Sequence, residues 1–317
     1  MSDQQPGGPQ WERKILEKVA LAAIQEQRRS RQWGMFFKMM VLLYLVVLLF
    51  IAMGWFGKRD VSPGRHTALV DISGIISPGS PASADKIMAG LQSAFKDKNT
   101  KGVIVRINSP GGSPVQAGYI NDEIKRLRGK YPEIPLYAVI EDICASGGYY
   151  IAAAADKIYV DKASIIGSIG VLMDGFGFTG TMEKLGVERR LLAAGKNKGF
   201  LDPFSPIQDE QTAHAETMLN DIHQQFIAVV RQGRGKRLKE TPDMFSGLLW
   251  VGQKSIDLGL ADALGSLEYV AREVIKAEDI VDFTQQENIA ERFARRFGAA
   301  SAEVLLKLGG IGSLNIR

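Results

Sequence analysis

Met39 to Phe56 reads MMVLLYLVVLLFIAMGWF, 18 residues without a charge, and no other feature restricts this chain so strongly. As a helix it spans about 27 Å, close to the hydrocarbon thickness of a bilayer. A buried core helix of a soluble protein is rarely apolar on every face. A cleaved leader has a shorter apolar stretch, and here polar sequence precedes the run. The expectation is a retained transmembrane anchor over 35–56. Arg13, Lys14, Lys18, Arg28, Arg29, Arg31 and Lys38 precede it, against Lys58, Arg59 and Arg65 after it. Basic residues stay on the cytoplasmic side, so the N-terminus is expected inside and everything beyond the polar linker 57–65 outside.

The first segment, 1–34, opens on SDQQPGGPQ, a composition that buries nothing, and continues in a short helical pattern. Net charge is +4 with the basic residues scattered, so no nucleic-acid partner is expected. Cys144 is the single cysteine, which excludes an intramolecular disulfide and a paired-cysteine metal or redox site. The three histidines, His66, His214 and His223, have no metal-ligand spacing. No metal and no cofactor is expected.

From His66 onward the pattern is α/β. TALVDISGII, GVIVRIN (102–108), PLYAVIE (135–141) and KIYV read as strands, short and rich in β-branched residues. Helical spacing over 83–98 and 114–128 separates the first three, and 146–155 is small and helix-compatible. Such alternation predicts parallel β-α-β units. GVLM and ERRLLAAG read as further strands, 179–185 and 207–231 as helices, and 287–308 as an amphipathic tail helix. Two glycine-rich breaks, SPGGS (109–113) and CASGG (144–148), each follow a strand directly. Ligands in parallel sheets sit beyond the carboxyl ends of strands, so both breaks belong to one mouth.

A serine hydroxyl at that mouth is a weak nucleophile without a base. No G-x-S-x-G elbow occurs, and no histidine carries a motif that would make it the partner. A lysine can serve if burial lowers its pKa. Ser83…Lys86 and Ser93…Lys96 have S-x-x-K spacing but read as a solvated helix face. Lys196 and Lys198, among the glycines of AAGKNKGFLDPF (193–204), follow a predicted strand.

The ordered set RINSPGG (106–112), ASGGYYIAAAADKIY (145–159), GSIGV (167–171), GKNKGFLDPF (195–204) and GLADALG (259–265) resembles the signal peptide peptidase A family in its single-unit form. These are membrane-anchored bacterial serine peptidases. The resemblance implies a fold like that of the Clp protease subunit and the crotonases, a repeated β-β-α superhelix, here with one N-terminal transmembrane helix. It assigns Ser146 as nucleophile, Lys198 as general base and Ser168 as the residue that orients the lysine. The backbone N–H groups of Gly111 and Gly147 form the oxyanion hole, and Ser109, Pro110 and Gly112 meet the substrate. Gly195, Lys198, Pro203 and Phe204 match the family pattern around the base, while its usual aromatic is Asn197 here.

The same resemblance implies a substrate, remnant signal peptides, bound by strand addition beside SPGG. It also implies a bacterial inner-membrane location with an extracytoplasmic catalytic domain, and a homo-oligomer in which a neighbour contributes the lysine. The peptidase domain is expected over 66–275 and a tail over 276–317. Two other readings share the fold: a crotonase-type acyl-thioester enzyme and a non-catalytic membrane scaffold.

Overall fold

The computed structural model describes residues 9–52 and 64–285. The first described part is one helix, α1 (Pro9–Ala52), 44 residues long. Its stretch Leu16–Phe50 is long and apolar enough to cross a membrane, with a mean hydropathy of 2.2 over its most apolar window. Helix and anchor are therefore one element with no break at 34/35: Gly34 alone is too weak an interruption among helix formers. Trp33 and Phe36 meet edge to face at 5.9 Å between Arg31 and Lys38, the composition of an interfacial belt. The predicted tail helix 287–308 lies outside the described residues.

The second part is an α/β unit of mostly parallel strands. Its first elements are β1 (His66–Ser73), α2 (Ala84–Lys96), β2 (Thr100–Ser109), α3 (Pro114–Lys130) and β3 (Leu136–Ala145). The three strands pair in parallel in the order β3-β2-β1, each joined to the next by a helix as the alternating pattern predicts. Ile87, Leu91, Phe95, Ile120, Ile124 and Leu127 point from the helices into a core with Val70, Ile72, Val105 and Ile107.

β3 then forks. Its first half pairs with β4 (Lys157–Val160) and its end with β5 (Ile165–Gly167). The change of neighbour follows a bulge against β2, where Ile107 opposes Ile140 but Ser109 opposes Cys144. Such insertions re-aim a strand end beside a site. Between β3 and β4, α4 (Gly147–Ala152) leads into Ala153–Ala155, all buried. The small side chains admit a close neighbour: a Cβ on Gly233 would overlap the Ala153 carbonyl.

Beyond β5 come α5 (Thr179–Leu185) and α6 (Asp209–Arg234), then β6 (Leu249–Val251), which pairs antiparallel with β5. α7 (Gly252–Asp257), β7 (Ala263–Leu264) and β8 (Ile280–Asp282) complete the unit. β8 pairs with β1, Phe283 packs on the core, and Thr284 Oγ1 accepts from Asp71 N–H at 2.9 Å. The unit thus runs past 275 into what the sequence pattern assigns to the tail.

GVLM and ERRLLAAG are not strands. Both belong to a segment, 170–207, that is exposed nearly throughout, with Phe176 79% and Leu192 96% exposed. Strand propensity needs a partner to pair with, and this segment lies along no described sheet edge.

Candidate active site

Ser146 closes β3 and caps α4. Its backbone sits at φ +51°, ψ −121°, the conformation of the first central residue of a type II′ turn, which glycine ordinarily fills. A serine held there is over-determined by its surroundings. Its N–H donates to the Gly167 carbonyl at 2.9 Å, and its carbonyl accepts from Tyr150 N–H at 3.0 Å. Asn121 of α3 in turn donates to the Tyr150 carbonyl at 2.8 Å. The Ser146 side chain is left partly exposed at the sheet mouth, and its hydroxyl has no hydrogen-bond partner among the described residues.

Ser168 follows β5 as Ser146 follows β3. Ala145 registers with Gly167, so the two serines leave adjacent strand ends. Ser168 also has φ +51°. Its N–H donates to Leu248 O at 2.8 Å and its carbonyl accepts from Gly170 N–H at 2.9 Å. On the next residue, the Ile169 carbonyl lies 3.1 Å from His223 Nε2 of α6.

The glycines after β2 stack against this turn. Gly111 has φ +101°, and a Cβ there would sit 2.7 Å from Ser146 Cβ and 2.8 Å from Gly147 N. Ile76 N–H donates to Gly111 O and Ser113 N–H to Ile76 O, tying the loop to the chain beyond β1. Gly111 N–H itself donates to Ser109 Oγ at 3.1 Å. Gly112 N–H and Gly147 N–H have no partner among the described residues. They are neighbours, since a Cβ on Gly147 would lie 3.4 Å from Gly112 N.

Ser109 is fully buried and donates to the Gly74 carbonyl at 2.6 Å. It therefore shapes the loop from beneath, whereas the resemblance gives it to the substrate; its hydroxyl is occupied by the loop's own backbone. Pro110 and Gly112 are exposed at the mouth. Cys144, two residues before Ser146, is buried, and burial pushes its thiol far above the ordinary range, so it is no rival nucleophile.

Lys198 is not joined to either serine. It is exposed, and no hydrogen bond or ion pair engages its ammonium among the described residues. Its neighbour Lys196 pairs with Glu210 at 2.7 Å. No histidine is hydrogen-bonded to Ser146: His66 is buried at the opposite end of β1, His214 lies edge-on to Phe200, and His223 faces Ile169 O. Lys86 Nζ donates to Ser80 O and Ser93 Oγ to Ala89 O, both local contacts, while Ser83 is buried at the N-cap of α2 and not on a solvated face.

Residues 129–281 match peptidase family S49. The chain is 44% identical over 177 residues to a Brucella melitensis protein named Na(+)/H(+) antiporter NhaA, covering 56% of this chain and 24% of that one. It thus spans about a quarter of that relative. It is 30% identical over 194 residues to the putative signal peptide peptidase SppA of Enterococcus faecium, covering 61% of this chain and 56% of that one. Against the putative protease slr0021 of Synechocystis it is 30% identical over 207 residues, which cover 65% of this chain and 72% of that one. With the last relative matched over most of its length, the chain belongs to peptidase family S49, the signal peptide peptidase A family.

Proposed function

We propose that this protein is a membrane-anchored serine endopeptidase that degrades remnant signal peptides, with Ser146 as nucleophile and Lys198 as general base. One observation carries the reading. Ser146 is held in a strained turn beside Ser168, against two neighbouring backbone N–H groups that have no partner among the described residues.

In the reaction, Lys198 Nζ in its neutral form takes the Ser146 hydroxyl proton as Oγ attacks the scissile carbonyl. The carbonyl oxygen becomes an oxyanion between N–H donors, each worth a factor of about 10² to 10³ in rate. Gly147 N–H is one donor. Gly112 N–H serves as the second in place of Gly111, whose N–H is already committed to Ser109. Gly111 contributes its missing side chain, which lets the β2 loop touch Ser146. The tetrahedral intermediate collapses as the lysine ammonium returns its proton to the departing amine. Water, activated by the same amine, then releases the acyl group from Ser146 Oγ. The Ser168 hydroxyl orients the amine.

The lysine comes from a second copy of the chain. Two features support this: the exposed Lys198, whose ammonium has no partner among the described residues, and the exposed apolar side chains of Leu172, Phe176, Leu185, Leu192 and Ile207 in the same segment. A closed homo-oligomer of the Clp-like β-β-α superhelical fold satisfies both. Substrate enters as an extended strand past Pro110 and Gly112. The helix α1 anchors the ring in the inner membrane with the N-terminus cytoplasmic, keeping the site near peptides released into the bilayer.

The test is hydrolysis of a fluorogenic signal-peptide-like substrate by the full chain in detergent. Wild type cleaves it, and Ser146→Ala and Lys198→Ala do not. Undiminished cleavage by Ser146→Ala removes the nucleophile. Turnover of acyl-thioesters alone would make the protein a crotonase-type enzyme.

A further inference from the structure

The loop that carries Lys198 has no regular structure, yet a catalytic base needs a defined position. The loop is a chain of tight turns. Lys198 N–H donates to Gly195 O at 3.1 Å, Phe200 N–H to Asn197 O at 3.1 Å, and Asp202 N–H to Gly199 O at 3.2 Å. The last of these turns places Leu201 at its third position with φ +51°. That is the left-handed position of a type II turn, where glycine is favoured. A leucine stays there only if something outside the turn holds it.

That something is one side chain of α6. Gln211 is 7% exposed, and its Oε1 accepts the Leu201 N–H at 3.0 Å. This N–H points out of the turn and has no partner within the loop. The flanking residues of α6 grip the same loop: Glu210 pairs with Lys196 at 2.7 Å, and His214 meets Phe200 edge-on at 5.8 Å. The Glu210 pair is solvent-exposed and contributes little. Gln211 is the buried polar contact of the three.

We infer that Gln211 is a positioning residue for the reaction: by capping the left-handed Leu201 it holds the turn that presents Lys198. The inference rests on the Ser–Lys reading above. Gln211 belongs to the same chain as Lys198, so it acts whichever copy's serine the lysine serves.

The experiment compares Gln211→Leu, Gln211→Asn and Gln211→Glu in the full chain in detergent, measuring kcat, KM and Tm. Leucine lacks the acceptor, asparagine is one methylene too short to reach Leu201 N–H, and glutamate keeps an acceptor at the same reach. Gln211→Leu should lower kcat by about 10-fold or more, since small misplacements of a catalytic group cost up to about 10²-fold, with KM within about twofold. Gln211→Asn should do the same, which keeps the test intact if the leucine variant fails to fold. Gln211→Glu at neutral pH should restore most of the rate. Adding Leu201→Gly to Gln211→Leu should recover part of it, because glycine adopts the left-handed turn unaided.

Wild-type kcat in both Gln211→Leu and Gln211→Asn overturns the inference, as does a Gln211→Glu variant as slow as they are. Lys198→Ala run alongside separates the two levels. If it is inactive while the Gln211 variants are normal, only the positioning role fails. If it is fully active, the Ser–Lys reading fails with it.

Discussion

Ser146 and Ser168 leave neighbouring parallel strands with the same backbone angle, φ +51°, one residue beyond the registered pair Ala145 and Gly167. A positive φ of this kind costs a non-glycine residue about 1–3 kcal/mol, and it occurs twice within one hydrogen-bonded junction. The benefit is geometric: each strand ends in a turn that leaves its serine half-exposed while the backbone remains hydrogen-bonded to its neighbours.

Replacing the nucleophile should therefore separate stability from activity. Ser146→Ala and Ser146→Gly both abolish hydrolysis, but the glycine variant is the more stable by up to about 1 kcal/mol, because it adopts φ +51° without strain. Thermal melts of the two variants check this, and a less stable glycine variant would contradict the strained turn.

Ser109→Ala tests the buried role of that hydroxyl. It removes the acceptor of Gly111 N–H and the donor to Gly74 O. The expected result is a stability loss of about 1–3 kcal/mol from the orphaned groups and a lower kcat, with KM little changed. A raised KM with unaltered stability would return Ser109 to the substrate-binding surface.

Whether the lysine acts across a subunit boundary can be read by mixing. Protomers carrying Ser146→Ala and Lys198→Ala, unfolded and reassembled together in equal amounts, recover activity at about a quarter of the sites if each site draws on two chains of a closed ring. Activity that stays absent places both groups in one chain.

Asp262 gives the pH dependence of the fold. Burial raises its pKa, but the hydrogen bond and charge of Arg234, the Ile158 N–H and the charge of Arg237 outweigh this, so its carboxyl sits below the usual range. The Arg234 side chain is fully buried, 2.8 Å away. A depressed carboxylate contributes stability above its unfolded pKa and loses it as pH falls through the folded one. Asp262→Ala should cost about 3 kcal/mol at neutral pH by stranding the buried Arg234. The Tm gap to wild type should shrink as pH drops below about 4, the ordinary carboxylate value. A gap independent of pH would mean that packing, not charge, sets the cost.

Cys144 should ignore thiol reagents in the folded protein, since the thiolate is the reactive form and burial suppresses it. Loss of activity on brief alkylation, without unfolding, would mean that the strand end opens.

The sequence by itself determined what local pattern can encode. Eighteen uncharged residues signal a helix apolar enough to cross a membrane. Apolar periodicity determined β1 to β3 and the helices between them. Small residues after a buried strand marked the turn at 144–148, and the family resemblance assigned Ser146 within it as nucleophile. The tertiary structure decided whatever depends on partners distant in the chain. Ser168 stands at the strand end beside Ser146 only because β3 forks after its bulge and takes β5 as a second neighbour. Gly112, not Gly111, has the unpartnered N–H because Ser109 Oγ captures its neighbour's. Ile280–Asp282 joins the sheet because β1 has an open edge, and ERRLLAAG stays out because no edge meets it. A strand's periodicity records which of its faces is buried but not which strand lies beside it, and hydrogen-bond partners are set by that neighbour.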